Sequence, residues 1–348
     1  MRLLNPMPAP RGLTPLKPRA PFSRNSPPMR RSVLISEVGP RDGLQNCSGV
    51  MPTAVKLRWV RALYDAGVRE IEVGSFVPPK LFPQLADTAE VVRFARTLPG
   101  LRVLALVPNL RGAENAIAAG VTAIGFPLSV SETHSRRNLR QSHDEAVENV
   151  RRIAALIAEQ PRESRPTLEG ALSTAFGCSL EGPIDEDLVL RLAERLVEAG
   201  ADELGLSDTV GYATPASVRS LVRRTRAVVG AERVKSVHLH NTYGLGLANA
   251  MAAFEEGIEV FDSSLGGLGG CPASPGASGN IVTEDLVFMF ESQGIDTGID
   301  LGALISARKY LAEGLPDEPL YGMLAGAGLP TGWDGNASKP SSSTSGER

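Results

Sequence analysis

The stretch that decides the fold is DELGLSDTVGYATPASVRSLVRRTRAVVGAERVKSVHLH, residues 202–240. It opens with a short apolar run (202–207) that has room for a strand and no helical period. Thr214-Pro215 follows, an N-cap residue and then proline at the first helical position, and 215–228 reads as an amphipathic helix. A second apolar run, VKSVHLH (234–240), closes the unit. Strand, helix, strand within about 40 residues is a βαβ unit, which forces the two strands to lie parallel.

The same unit recurs outward in both directions. Strand-like runs stand at 33–39, 69–76, 101–107, 121–126, 168–176, 202–207, 234–240 and 258–264. Helical stretches stand at 53–66, 83–97, 111–119, 143–159, 185–199, 215–228, 245–256 and 282–293. Several helices end in glycine (Gly67, Gly120, Gly200, Gly257), which supplies a left-handed cap before the next strand. Continuous apolar strands suit a parallel sheet covered on both faces. Eight such units in alternation close most economically into an α/β, (β/α)8 TIM barrel. An open doubly wound sheet is disfavoured, since no GxGxxG follows the first strand and no GxxxxGK[ST] occurs. The remaining residues, 294–329, are expected to add C-terminal helices.

The chain has 348 residues, enough for two average domains, but a barrel of about 250 residues folds as one. Residues 1–32 hold eight prolines and seven Arg/Lys, and the first acidic residue is Glu37. We read this as a disordered Pro/Arg-rich arm, 33–329 as the catalytic barrel with its extra helices, and 330–348 as a disordered Gly/Ser/Pro tail. An Arg-rich, acid-free start also fits a transit peptide to the mitochondrial matrix, although the prolines oppose the amphipathic helix this needs. The expected compartment is the cytoplasm. A formal charge of −3 lacks the footprint of a nucleic-acid binder. No apolar run reaches the length of a membrane span. Cys47, Cys178 and Cys271 lie far apart without a CxxC, which argues against a disulfide scaffold.

In an α/β barrel the reactive groups gather at the C-terminal ends of the strands. Those ends offer Arg41-Asp42, Glu72, Asp208, His238, His240 and Asn280. His238 and His240 are two apart on a strand and so share a face. With Asp42 and the Asn280 carbonyl they make a mixed N/O donor set, which favours Mg²⁺ or Mn²⁺ over structural zinc. Two core histidines bonded to neighbouring strands would give the same spacing. Glu72, inside an apolar strand, needs a cationic partner, and Arg41 is the obvious one. Gly266-Gly267-Leu268-Gly269-Gly270-Cys271 can approach a substrate with bare backbone, and Cys271 could serve as a proton donor or acceptor or simply be a small buried residue. Asp208 reads as an orienting or substrate-contacting acid, or as a solvated loop residue. Arg136 and Arg137, in ETHSRRNLRQSH (132–143), could receive the phosphates of an anionic substrate, or lie on an exposed loop.

Taken together, EVGPRDGLQN (37–46), EVGSFVPPK (72–80), ALVPNLRG (105–112), LSDTVGYATP (206–215), HLHNTYGLGLANAMAAFEEGIEVFDSSLGGLGGCP (238–272) and GASGNIVTEDLV (276–287) resemble the 3-hydroxy-3-methylglutaryl-CoA lyase family of metal-dependent barrel lyases and Claisen enzymes. The resemblance spans about 33–315. It implies retro-Claisen cleavage of 3-hydroxy-3-methylglutaryl-CoA to acetyl-CoA and acetoacetate, a step of leucine degradation and ketone-body metabolism. It implies Asp42, His238, His240 and Asn280 as ligands of a divalent cation, Arg41 beside the thioester oxygen, and Cys271 as the catalytic cysteine. Glu72 and Asp208 become active-site acids. The expected partners are an acyl-CoA and further copies of the chain, a homodimer or larger.

The chain departs from the family pattern at GFPLSVSETHSRRN (125–138), at Ala273 and at Cys47-Ser48. These touch the acyl pocket and the CoA surface and leave the metal ligands intact. A lyase for a related 3-hydroxyacyl-CoA is therefore one alternative. A condensing acyltransferase of the isopropylmalate or homocitrate synthase kind is another, but those carry HxHND where this chain has His240-Asn241-Thr242. A third is a metal-binding barrel without catalysis.

Overall fold

The computed structural model describes residues 31–269 and 279–333. Eight strands form a closed barrel in chain order: β1 (Leu34–Glu37), β2 (Glu70–Ser75), β3 (Arg102–Leu106), β4 (Ala123–Ser129), β5 (Thr167–Ser173), β6 (Glu203–Asp208), β7 (Val234–Leu239) and β8 (Val260–Ser263). Every pairing is parallel, and β1 closes on β8 through Leu34↔Val260 to Glu37↔Ser263. The (β/α)8 expectation is met strand by strand.

The helices α1 (Thr53–Asp65), α2 (Thr88–Ala95), α3 (Leu110–Ala119), α4 (Glu132–Asn138), α5 (His143–Ala158), α6 (Glu186–Glu198), α7 (Pro215–Val229), α8 (Gly246–Glu255) and α9 (Thr283–Ser292) lie between and after the strands. Helix α7 begins where its cap signal stands: the Thr214 side chain accepts the Ser217 N–H, and Pro215 occupies the first turn. Helix α3 ends on Gly120 at φ 93°, the left-handed cap that glycine adopts without strain. The residues after the eighth unit form α10 (Leu301–Gly314) and α11 (Met323–Ala327), as expected.

Two local readings are corrected. The helix expected over 83–97 is broken: Pro83–Leu85 makes a 3₁₀ turn, and α2 starts only at Thr88, where the Thr88 hydroxyl bonds back to the Leu85 carbonyl. The charged stretch 132–143 is not a loop. Ser131 caps it by accepting the His134 N–H at 3.1 Å, and Glu132–Asn138 winds into α4. An i,i+4 pair between Glu132 and Arg136 supports that short helix.

The inner face of the barrel follows from strand parity. A Cβ at Gly205 would fall on the Glu169 carboxylate and the Ser236 hydroxyl, so these three face inward, whereas a Cβ at Gly170 would meet Leu196 of α6. The floor of the barrel is polar: Arg102 bonds Glu70, Glu203 and the Thr167 hydroxyl at 3.0, 2.6 and 2.8 Å. The outer faces of the strands bury apolar side chains such as Leu168, Leu172 and Phe261 against the helices. Each such burial contributes roughly 1.5–3 kcal/mol. This shell holds the strand ends rigid enough to position a site.

Candidate active site

Arg41 and Asp42 sit in one turn of π-helix, Gly39–Gly43, directly after β1. The N–H groups of Arg41, Asp42 and Gly43 all point to the Val38 carbonyl. The turn is tied down by Glu37, whose Oε1 accepts the N–H of Gly39 and of Leu265 at 3.0 and 2.9 Å, and whose Oε2 accepts the Thr283 hydroxyl at 2.8 Å. Burial pushes Glu37 up to about 8 against these three donors. One buried side chain thus joins the Arg41-Asp42 turn, the root of the glycine loop and the segment after Asn280.

Arg41 donates from Nε to Glu72 and from Nη1 to Asp42, both at 2.6 Å. Glu72 therefore has the cationic partner its position demands, although burial still pushes it up to about 7. Burial would also raise Asp42, but Arg41, the two histidines and the Asn280 amide outweigh it and hold the carboxyl well below the usual carboxylate range.

His238 and His240 face the same space, their Nε2 atoms 3.2 Å apart. His238 Nε2 lies 4.0 Å from Asp42 Oδ2, and the Asn280 amide donates to that same oxygen at 2.7 Å. Asn280 is brought there by a backbone bridge to His240. Burial depresses His238, so its ring is neutral at physiological pH. Buried His240 Nδ1 has no hydrogen-bond partner.

Among the described residues, Asp42, His238 and His240 form a group that could hold a metal ion, with ligand atoms within 4.8 Å of one another. With their Nε2 atoms 3.2 Å apart, the two imidazoles have room for only one proton between those atoms. The remaining lone pairs converge with an ionised carboxylate, an arrangement that a cation satisfies. The nitrogen and oxygen donors, without thiolate, suit a borderline or hard divalent ion.

The other predicted residues fall differently. Asp208 is buried at the end of β6, where it accepts the N–H of Tyr212 at 2.9 Å and of Ala213 at 3.0 Å. Burial pushes it up to about 6 against those bonds, and its oxygens shape the loop. Arg136 and Arg137 are exposed on α4, where Arg136 pairs with Glu132. Cys271 lies outside the described residues. The root of its loop is anchored: Glu284 accepts the Gly266 N–H at 2.9 Å and the Arg308 guanidinium at 2.5 Å.

Sequence reasoning missed Asp262. It points into the barrel from β8, in register with His238, and its Oδ2 lies 3.1 Å from His238 Nδ1. The signal was present: IEVFDSS places an acid inside an apolar strand as IEVGSF does for Glu72.

Residues 32–311 match the model of the HMGL-like family. The hydroxymethylglutaryl-CoA lyase of Bacillus subtilis is 41% identical over 286 residues, 82% of this chain and 94% of that protein. The mitochondrial hydroxymethylglutaryl-CoA lyase of Arabidopsis thaliana is 40% identical over 81% of this chain, which spans 59% of that longer protein. The solved HMG-CoA lyase of Acinetobacter baumannii, in complex with coenzyme A and 3-methylmalate, superposes with a TM-score of 0.80 at 39% identity, covering 86% of this chain and 96% of that one.

Proposed function

The chain belongs to the HMGL-like family, and on that premise we propose that it is a carbon–carbon lyase that cleaves 3-hydroxy-3-methylglutaryl-CoA to acetyl-CoA and acetoacetate. The observation that carries this reading is the convergence of Arg41, Asp42, Glu72, His238, His240 and Asn280 on one barrel mouth. Identities near 40% over most of the chain to named lyases support the substrate.

Cleavage breaks the C2–C3 bond. The tertiary hydroxyl loses its proton and becomes the ketone of acetoacetate, the bonding pair moves onto C2 and its thioester, and C2 gains a proton to give acetyl-CoA. Held by Asp42, His238, His240 and Asn280, a Mg²⁺ or Mn²⁺ ion would supply Lewis-acid polarisation of the substrate oxygens. The hydroxyl proton passes to Asp42, whose carboxyl Arg41 and the two histidines hold ionised. Arg41, with Nε and Nη1 locked by Glu72 and Asp42, keeps its Nη2 edge for the enolate oxygen. Its rigidity matters, because a donor already aimed at developing charge costs no reorganisation. Cys271 supplies the proton to C2. Asp208 orders the loop after β6 beside these groups, and Arg136 and Arg137 offer positive charge to the CoA phosphates.

A coupled assay for acetyl-CoA release from 3-hydroxy-3-methylglutaryl-CoA tests the proposal, and turnover confined to malonate-type condensation would replace it with the acyltransferase reading. The reading also carries the expected homo-oligomer, cytoplasmic location and role in leucine degradation and ketone-body metabolism. Among the described residues no helix is long and apolar enough to cross a membrane.

A further inference from the structure

Lys56, in α1, is the one buried lysine among the described residues, and the site above makes no use of it. A lysine is rarely buried in full unless it is paired. Here Nζ donates to Asp87 Oδ1 at 2.6 Å and to the Gln84 carbonyl oxygen at 2.9 Å. Asp87 Oδ2 accepts the Thr53 hydroxyl at 2.8 Å, so both partners of that carboxylate stand in the first turn of α1. One buried charge thus fastens the segment after β2 to the helix after β1.

The fastened segment grips the end of its own strand. The Thr88 hydroxyl donates to the Leu85 carbonyl at 2.7 Å and accepts the Ser75 N–H at 3.2 Å. Ser75 ends β2, three residues beyond Glu72. The segment also reaches the neighbouring loop, where Gln84 Nε2 donates to the Cys47 carbonyl at 2.7 Å. Cys47 donates its N–H to the Leu44 carbonyl at 3.1 Å and its thiol to the Gly43 carbonyl at 3.3 Å. Beside it, the Asn46 amide donates to the Asp42 carbonyl at 3.2 Å. Residues 44–47 therefore close onto the turn that carries Arg41 and Asp42.

The sheet leaves work for such a tie. Glu37 holds the Arg41-Asp42 turn on the side of Leu265 and Thr283. Toward β2, the ladder registers Ser36 with Glu70 and Glu37 with Ile71 and ends before Glu72. The Arg41–Glu72 bond, 2.6 Å from Nε to Oε2, lies beyond that ladder. On this side the two loops are joined through Gln84, and Lys56 holds Gln84.

We propose that Lys56 is a positioning residue for the Arg41–Glu72 pair and acts through the Gln84 side chain. The ammonium fixes the Gln84 backbone, the Gln84 amide fixes Cys47, and the turn bearing Arg41 stays in reach of Glu72. A misplacement of about 1 Å can cost about a hundredfold in rate, so a clamp that prevents part of it is worth about tenfold. The inference rests on the lyase reading and adds to it a residue whose own contacts, Gln84 and Asp87, lie outside the ligand group.

The test compares the full-length wild type with Gln84→Ala and Lys56→Met, each saturated with Mn²⁺, in release of acetyl-CoA from 3-hydroxy-3-methylglutaryl-CoA. Rates are expressed per bound Mn²⁺, which removes any unfolded fraction. Gln84→Ala cuts only the link to Cys47. Its kcat per site should fall about tenfold, its KM should move less than about twofold, and its melting temperature should stay near that of the wild type. Lys56→Met should lose at least as much kcat per site and should also melt earlier, because Asp87 loses its counter-ion. A clamp that serves stability alone would lower the melting temperature of Lys56→Met and leave kcat per site unmoved in both variants. That result overturns the inference and leaves the lyase reading intact. If Lys56→Met does not fold, kcat per site in Gln84→Ala decides alone. A wild type that releases no acetyl-CoA overturns the lyase reading and the inference together.

Discussion

His238 Nδ1 lies 3.1 Å from Asp262 Oδ2 on the neighbouring strand, and this contact decides which nitrogen His238 presents to the mouth. With Nδ1 engaged, Nε2 is the atom turned toward His240 and Asp42. Burial, reinforced by the Glu70 carboxylate, pushes Asp262 up to about 8. A carboxyl group hydrogen-bonded to the far nitrogen of a ligating imidazole fixes the orientation of the ring. Asp262→Ala should therefore weaken Mn²⁺ binding by about 10–100-fold with the fold retained. Electron paramagnetic resonance of Mn²⁺ titrated into the metal-free variant measures this, and wild-type affinity would reduce Asp262 to a barrel-filling acid.

The glycine loop meets the Arg41-Asp42 turn at Gly269. Its φ is 96°, and a Cβ there would lie 2.5 Å from the Gly43 carbonyl oxygen. Gly269→Ala should cost about 1–2 kcal/mol from the left-handed backbone alone. Displacing the turn that carries Arg41 should also lower kcat by roughly a hundredfold. Thermal melting and steady-state kinetics on the same preparation check both, and normal kcat would show that the turn does not depend on this contact.

If Cys271 is the proton donor to C2, Cys271→Ser should slow release of acetyl-CoA by about 10²–10⁴-fold, since the hydroxyl is a far weaker acid than the thiol. Mn²⁺ affinity should be unchanged, because the proposed ligands are Asp42, His238, His240 and Asn280. Wild-type turnover in Cys271→Ser would leave the thiol with no catalytic part.

Stability should fall as pH rises from about 4.5 to about 8. Glu169, half-buried inside the barrel with the Ser236 hydroxyl donating to it, is pushed from 4.5 to about 8 by desolvation and by the Asp262 carboxylate. A raised pKa means that the folded state holds a proton the unfolded chain has released. Its contribution is whole below pH 4.5 and lost as pH passes about 8. Glu169→Gln keeps the shape without the titration, so its melting temperature should vary less over this window. Equal slopes for both proteins would place the pH dependence elsewhere.

Much of the fold was legible because period and punctuation agree. The 202–240 unit carries its strand, cap, proline and second strand in plain order, and the barrel repeats that grammar. The helix over 83–97 misled because apolar spacing continues through Pro83, while the Thr88 hydroxyl restarts the helix by bonding to the preceding turn. Helix α4 was hidden by its charge, since nothing in ETHSRRN has an apolar face and its support is the Ser131 cap and one ion pair. The site was legible wherever a residue carried its own chemistry, as with Arg41-Asp42 and the paired histidines. It was not legible where function depends on register. Asp262 matters only because β8 sets it beside His238.

The central claim is that Asp42, His238, His240 and Asn280 hold one divalent ion without which the bond does not break. The most direct test is to strip the protein with EDTA, return Mn²⁺ in steps, and follow acetyl-CoA release from 3-hydroxy-3-methylglutaryl-CoA in the wild type and in Asp42→Ala. The account predicts no release from the stripped wild type, full recovery at one ion per chain, and no recovery in Asp42→Ala at the same metal concentration. Release that persists in EDTA, or an Asp42→Ala protein restored to the wild-type rate by one equivalent of Mn²⁺, would contradict it.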